Sequence, residues 1–434
     1  MSLAVTEPFS DIPRVTGMPV IGSTMAFLKN PRQFVADAQR RYGDIFWVNY
    51  FFEDYLFLLG PEANRLVLTN QDKGFSSKLG WEFMSKSFDG GLMLLDFEHH
   101  RHDRRVLQTA FKSEAMNTYL PGLSETVEKR LAGWSQGDQV TIYNDVKGLL
   151  LSTAVNTFFG LNDCDLERLN KKLIHLLEGT LGVLPQWLPG SRQYMASKAR
   201  ISLKEELLVT LAEKKRQPSA DLFSALARAS LDGTLSDTEI VDHLIFLLMA
   251  AHDTTASAIT TMVNCLCDHP EVQAELRKQA LQFDFEQLNL SSLSKLDYFE
   301  AAINEALRLY TPVQSLPRKT IKPVEFAGFT IPQGIFVMVS PDNTHNCKAY
   351  WSDPSTFNPD RFLSQRIDPW AWLPFGSGVH KCIGLHFAYV ETKLFLLHAL
   401  RRFEFSHASP DNKDINLLPM PAPKNGLEVN LREL

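Results

Sequence analysis

Phe375-Gly376-Ser377-Gly378-Val379-His380-Lys381-Cys382-Ile383-Gly384 is the stretch on which the fold of this 434-residue chain turns. Gly376 and Gly378 give the backbone freedom for a tight loop, and Gly384 lets a flat object come close. An apolar helical run to about Arg402 follows, so Cys382 falls where a helix is expected to start. Unpaired N–H groups and the positive end of the helix dipole favour a thiolate there. A lone thiolate in such a nest suits an axial iron ligand. For an isolated Cys-x-Gly, a structural cysteine in a glycine turn is the better reading. The ten-residue pattern reverses that preference.

Upstream, Glu305-Ala306-Leu307-Arg308 lies in a helical stretch that Pro312 ends. The i, i+3 spacing puts both charges on one face. Taken alone this is an ordinary surface pair, worth a few tenths of a kcal/mol. Farther upstream, Ser236-Asp237-Thr238-Glu239 reads as a capping box, and apolar residues continue until His269-Pro270 stops the helix. That predicts about 33 residues, or roughly 50 Å of helix. A helix so long and so apolar must cross a large core. At its middle stands Met249-Ala250-Ala251-His252-Asp253-Thr254-Thr255. A buried aspartate is costly unless partnered, so Asp253 needs a reason. A satisfied Asp–Thr network in the core is the plain alternative to a functional one.

The composition is 44% hydrophobic, 22% charged and 11% aromatic, which excludes a disordered or collagen-like chain. The formal charge, 44 − 50 = −6, argues against general nucleic-acid binding. Five cysteines (Cys164, Cys265, Cys267, Cys347, Cys382) are too few and scattered for a disulfide framework. Cys265-Leu266-Cys267 has neither redox nor zinc spacing, so all but one are expected to be inert thiols. The N-terminus has no basic start before an apolar run, so no secretory, twin-Arg or transit segment is expected. Leu244 to Leu266 contains His252, Asp253, four threonines and Asn264, short of the ~18 apolar residues of a membrane span. A soluble, cytoplasmic protein with no transmembrane anchor is expected.

Residues 8–23 read as an extended lead-in, and Ile45 to Phe51 and Tyr55 to Leu59 as a hairpin split by Glu53-Asp54. From about residue 98 to 320 the pattern is mostly helical. Val324 to Val339 is β-rich, with Gly328, Pro332 and Gly334 as turns, and short strands close the chain. No repeat, low-complexity tract or Gly/Ser linker divides it. The expected fold is mainly α (α-rich α+β), one domain over residues 1–434, a helical body with small β-sheet corners.

In order along the chain, Ala-Ala-His-Asp-Thr-Thr, the ExxR of Glu305 to Arg308, Phe357-Asn358-Pro359-Asp360-Arg361-Phe362 and the FxxGxxxCxG loop resemble the cytochrome P-450 family of haem-thiolate monooxygenases. The resemblance extends from the Pro/Gly lead-in to Gly426-Leu427-Glu428-Val429. It implies that Cys382 is the proximal thiolate ligand of a haem b iron, with Phe375 beside the sulfur and Gly384 at the haem. Glu305, Arg308 and Arg361 match the family's buried structural ion-pair cluster. His100, Arg104, Arg318 and His380 match positions at the haem propionates, where cationic and N–H donors suit carboxylates. Asp253 and Thr254 resemble the acid–alcohol pair that manages protons in oxygen activation. Ala251 stands where the family often has glycine.

The resemblance also places a substrate pocket at Leu247, Ala250, Val313, Ser315 and Leu316. It sets a roof from Gly80 to Leu95, with Trp81, Phe83, Met84 and Phe88, and a lid from Leu181 to Leu188. The expected activity is hydroxylation or epoxidation, with O2, of a lipophilic small molecule: terpenoid, steroid, retinoid-like or fatty. A haem-thiolate peroxygenase or hydroperoxide isomerase or dehydratase is the alternative, and a haem-based sensor or ligand-binding protein a distant one. With no dinucleotide fingerprint or multi-Cys spacing, no fused reductase or ferredoxin domain is expected. Electrons would come from NAD(P)H through a separate ferredoxin or flavodoxin with its reductase. Arg101, Arg105, Lys112 and Lys381 are candidates for a positive patch that steers it.

Overall fold

The computed structural model describes residues 9–161, 165–182, 184–219, 221–409 and 414–433. Cys164 and Val183 lie outside these described residues. Contacts divide the chain into two units, residues 1–81 with 304–382 and 416–421, and residues 82–303 with 383–415 and 422–434. Each is taken by itself.

The first unit is built on five strands: β1 (Ile45–Tyr50), β2 (Glu53–Leu58), β3 (Phe75–Ser76), β4 (Leu316–Thr320) and β5 (Phe336–Val339). Their spatial order is β1-β2-β5-β4-β3, with β2 and β5 parallel and the other pairs antiparallel. The two-residue period of a strand sorts the side chains. Ile45, Leu56, Leu58, Val337 and Val339 join one buried cluster with Ala63 and Val67. Phe46, Val48, Tyr50, Phe57 and Met338 join another with Val35 and Ala38. Phe46 and Phe57 are register partners and their rings stack at 5.5 Å.

Two sequence expectations shift here. The hairpin turns at Phe51-Phe52, both at positive φ (52° and 66°), while Glu53 and Asp54 open the second strand. A two-residue turn that matches strand twist needs left-handed positions, and the ladder runs up to Tyr50 opposite Glu53. Second, Leu316–Thr320 is a strand inside the range read as helical. It pairs with β5 and β3, partners distant in sequence that no local pattern announces.

The second unit is helical, with α1 (Phe97–Leu107), α2 (Ile142–Ala154), α3 (Leu166–Thr180), α4 (Arg192–Arg216), α5 (Asp237–Asp268) and α6 (Leu385–Arg402). A small sheet joins Gln139–Thr141, Glu428–Glu433 and Phe403–His407, in that order. The 32-residue α5 starts at the expected capping box: Ser236 Oγ accepts from Glu239 N and Ser236 N donates to the Glu239 carboxylate at 2.8 Å. It ends before Pro270, which opens the next helix. Among the described residues α5 is the one helix long and apolar enough to cross a membrane, and 67% of its apolar window is buried in the protein. After α2 the chain makes one π-helical turn, Val155–Phe159, closed by Gly160 at φ 59°.

Candidate active site

In the first unit, Glu305 and Arg308 stand one turn apart, both at 0% exposure. Arg308 donates twice to the Glu305 carboxylate, at 2.7 and 2.8 Å, and its Nη1 to the carbonyls of His345 and Pro354 at 2.9 and 2.8 Å. Arg361 Nε donates to Glu305 Oε1 at 3.1 Å, as does the Asn358 amide at 3.0 Å. Two guanidinium groups and a backbone amide thus compensate one buried carboxylate, which is what buried charge requires. The indole of Trp351 lies 5.1 Å from the Arg308 guanidinium carbon.

The cluster reaches the cysteine loop through a residue that sequence reading missed. His345 Nε2 accepts the Leu373 amide at 2.9 Å, just where the loop begins. Burial, then the charges of Arg308 and Arg32, pushes His345 down to about 3, so the ring is neutral. The loop itself turns at Gly376 and Gly378, both at φ 65°. A Cβ on Gly378 would sit 1.9 Å from the Leu68 carbonyl oxygen, so only glycine fits. Cys382 N donates to Phe375 O at 2.9 Å, and the cysteine is exposed. Its thiol sits earlier than expected: Gly384 caps α6, whose first residue is Leu385, so Cys382 belongs to the turn. Beside Gly384 a Cβ would meet a single atom, Phe111 Cε1 at 3.9 Å, and the approach is open. His380 is half-buried in the 3-10 turn Gly378–His380, Phe375 is half-buried, and Arg318 is buried on β4 with Nη1 on the Pro317 carbonyl at 2.8 Å. An exposed thiol in a glycine turn, with Arg318 and His380 in the same unit, fits haem: a soft sulfur ligand for iron and N–H donors for carboxylates.

In the second unit, the middle of α5 is polar in an apolar setting. Thr254 Oγ1 donates to the Ala250 carbonyl at 2.9 Å, which commits its proton and leaves its oxygen to accept. Asp253 is 3% exposed and pairs with Lys147 Nζ of α2 at 2.6 Å. Lys147 was not foreseen; its one signal is a lone charge within an otherwise apolar helical run, Val146 to Leu151. His252 Nδ1 donates to the Leu248 carbonyl at 3.0 Å and its Nε2 stands 3.6 Å from Asp253 Oδ1. Burial holds His252 below its usual pKa, more than the adjacent Asp253 raises it. Tyr143, whose ring lies 5.7 Å from Lys147 Nζ, is raised to about 12 by burial and by Asp253.

His100 and Arg104 lie one turn apart on α1, the first buried and the second half-buried. Between them Asp103 ties α1 to α5, meeting His243 Nε2 at 2.8 Å and His102 Nδ1 at 3.0 Å. Burial favours its neutral form, but these hydrogen bonds bring the carboxyl below the usual range. Leu247 and Ala250 are half-buried on the Thr254 side of α5. Val313, Ser315 and Leu316 fall in the first unit, half-buried or more exposed. Within the roof segment Phe88 is buried edge-on to Phe246 of α5, ring centres 5.6 Å apart, and Met84 is buried too. In the lid segment Leu181, Leu184 and Trp187 are exposed, the last at 76%.

The chain is 32% identical over 447 residues to the putative cytochrome P450 136 of Mycobacterium tuberculosis (strain ATCC 25618 / H37Rv), covering 99% of this chain and 91% of that protein. It is 29% identical to the taxane 10-beta-hydroxylase of Taxus cuspidata, over 96% of this chain and 89% of the relative. The solved structure of retinoic acid bound cyanobacterial CYP120A1 superposes at a TM-score of 0.86 with 27% identity, covering 97% of this chain and 99% of that one. The cytochrome P450 family description matches residues 12–429, a span that takes in the buried Glu305 cluster, the Asp253–Lys147 pair and the cysteine loop alike; the chain therefore belongs to the cytochrome P450 family and is a haem-dependent monooxygenase.

Proposed function

We propose that this monooxygenase hydroxylates or epoxidises a lipophilic molecule of the isoprenoid class, drawing electrons from NAD(P)H through a separate ferredoxin or flavodoxin with its reductase. The observation that carries the reading is the Asp253–Lys147 pair beside Thr254 in the middle of α5. Cys382 would hold a haem, which when bound would supply the iron chemistry of dioxygen activation, favoured by an electron-rich thiolate. Phe375 would lie beside the sulfur, Gly384 would leave room for the macrocycle, and His100, Arg104, Arg318 and His380 are the candidate partners for its carboxylates. Thr254, its proton committed to Ala250, accepts a hydrogen bond from water and holds it in place. Asp253 passes protons inward, and Lys147, with a side chain 18% exposed, connects that carboxylate to solvent.

The candidate substrate contacts are Leu247 and Ala250 in the second unit and, taken separately, Val313, Ser315 and Leu316 in the first. The isoprenoid class is supported by the relatives, one named for a taxane and one solved with retinoic acid. Exposed Arg101, Arg105, Lys112 and Lys381 offer positive charge to an acidic electron donor on a chain that is acidic overall. The reaction is tested with Thr254→Ala in a reconstituted system. Substrate binding should be retained while the fraction of NAD(P)H electrons recovered in product falls about tenfold or more. Unchanged coupling would favour a peroxide-driven reaction, which needs no such proton relay.

A further inference from the structure

A cavity of about 520 Å³ lies among α2's π-helical turn, α3, α4 and α5 in the second unit. Its walls are Val155, Phe159, Leu169, Leu203, Leu207 and Leu248, and its mouth is charged: Asp165, Arg168, Lys172 and Glu206. The volume is within the range of small-molecule sites, and apolar walls with a few grouped polar side chains are their usual makeup. This is not the substrate side of α5. At about 100° per residue Leu248 points about 120° away from Thr254, whereas Leu247 and Ala250 share its face.

The charges at the mouth balance in number, but the hydrogen-bond donors there outlast their acceptors. Glu206 receives Arg168 Nη2 and Lys172 Nζ, the latter at 2.6 Å. Asp165 caps α3, accepting the Arg168 amide at 2.9 Å. Glu206 takes one of the several N–H donors of the Arg168 guanidinium, so Arg168 keeps donors at the mouth for a ligand, and Lys172 holds its side chain at 12% exposure. An apolar chain that ends in a carboxylate matches both halves, its tail between the leucines and its head bridging Arg168 and Lys172 beside Glu206. A π turn in the wall, a conformation that often marks functional positions, lies about two turns along α2 from Lys147.

We propose that this cavity is a second ligand site, separate from the substrate side of α5, which takes an apolar monocarboxylic acid. Binding itself does not depend on the function proposed above. Its effect on turnover, transmitted along α2 to the Lys147–Asp253 pair, does rest on that reading.

The test titrates the purified full-length holoenzyme with dansyl-undecanoic acid, read by dansyl fluorescence, while saturating phenylimidazole blocks the haem side. One equivalent of probe should still bind. Its affinity should fall about tenfold in Lys172→Gln, as expected for the loss of one charged hydrogen-bond donor. Leu207→Phe, which fills the cavity, should abolish that equivalent while circular dichroism and haem content stay as in the parent. Dansyl-undecanol, which lacks the charge, should bind the parent about tenfold more weakly than the acid. If no probe binds once phenylimidazole is present, or if both variants bind it as the parent does, the site does not exist. Equal binding of alcohol and acid would overturn the carboxylate assignment. These outcomes read binding alone, so a failure of the monooxygenase reading would leave them interpretable. Occupancy should also change NAD(P)H consumption in the parent but not in Leu207→Phe; no change in the parent would overturn the effect along α2.

Discussion

Glu305 accepts four hydrogen bonds, from Arg308 Nε and Nη2, Arg361 Nε and the Asn358 amide, in a place closed to water. Glu305→Gln preserves shape but leaves two buried guanidinium groups without their counter-charge. It should cost about 3–5 kcal/mol, far above the few tenths of an exposed helical pair. Urea unfolding should show it, and a midpoint unchanged from the parent would mean the cluster is not stabilising. His345 is testable by pH. Its folded-state pKa of about 3 lies below an unfolded value of about 6.5. Between these values the unfolded chain binds the extra proton, so stability is fully present above about pH 6.5 and declines as pH falls toward 3. His345→Gln should flatten that part of the urea-midpoint profile. An equally steep profile in the variant would assign the loss to other groups.

At the scale of elements, α5 was legible because a capping box and a proline bracket it, signals that lie within a few residues of its ends. The partners of its middle were not legible. Lys147 belongs to α2, and nothing near Asp253 in sequence says which helix will answer its charge. The same limit hid β4, which exists because β5 and β3 pair with it. The segment before α1 shows how such an element is seated. Gly91, at φ 123°, lies so close to α5 that a Cβ would come 2.3 Å from Phe246 Cγ. Asp89 beside it accepts from Arg200 at 2.7 Å and Lys204 at 2.6 Å, and Lys204 also pairs with Asp242 of α5 at 2.7 Å. Burial raises Asp242 above the usual carboxylate range despite Lys204. Asp89 is partly exposed, so the latch is worth about 1 kcal/mol at most. Asp89→Asn should therefore speed amide exchange across residues 86–92 about fivefold, and high salt should do much the same to the parent. Exchange that responds to neither would show that apolar packing alone seats the segment.

For the molecule as a whole, the family was legible in four short motifs, two of which, the Glu305–Arg308 turn and the segment carrying Arg361, meet in one buried ion-pair cluster. The fold class was legible from helical periodicity. Substrate identity was not: Leu247, Ala250, Val313, Ser315 and Leu316 come from segments whose mutual placement is a property of the folded chain. An apolar residue in such a segment looks the same whether it packs, as Phe88 does against Phe246, or touches a ligand. The haem assignments depend on Cys382, an exposed thiol in a glycine turn with its amide fixed on Phe375. The carbon monoxide difference spectrum of the reduced, purified protein tests it most directly. A strongly red-shifted Soret band that disappears in Cys382→Ser is the predicted result. A band at the ordinary histidine-haem position in the folded parent, or a red-shifted band that survives Cys382→Ser, would contradict thiolate ligation at this residue.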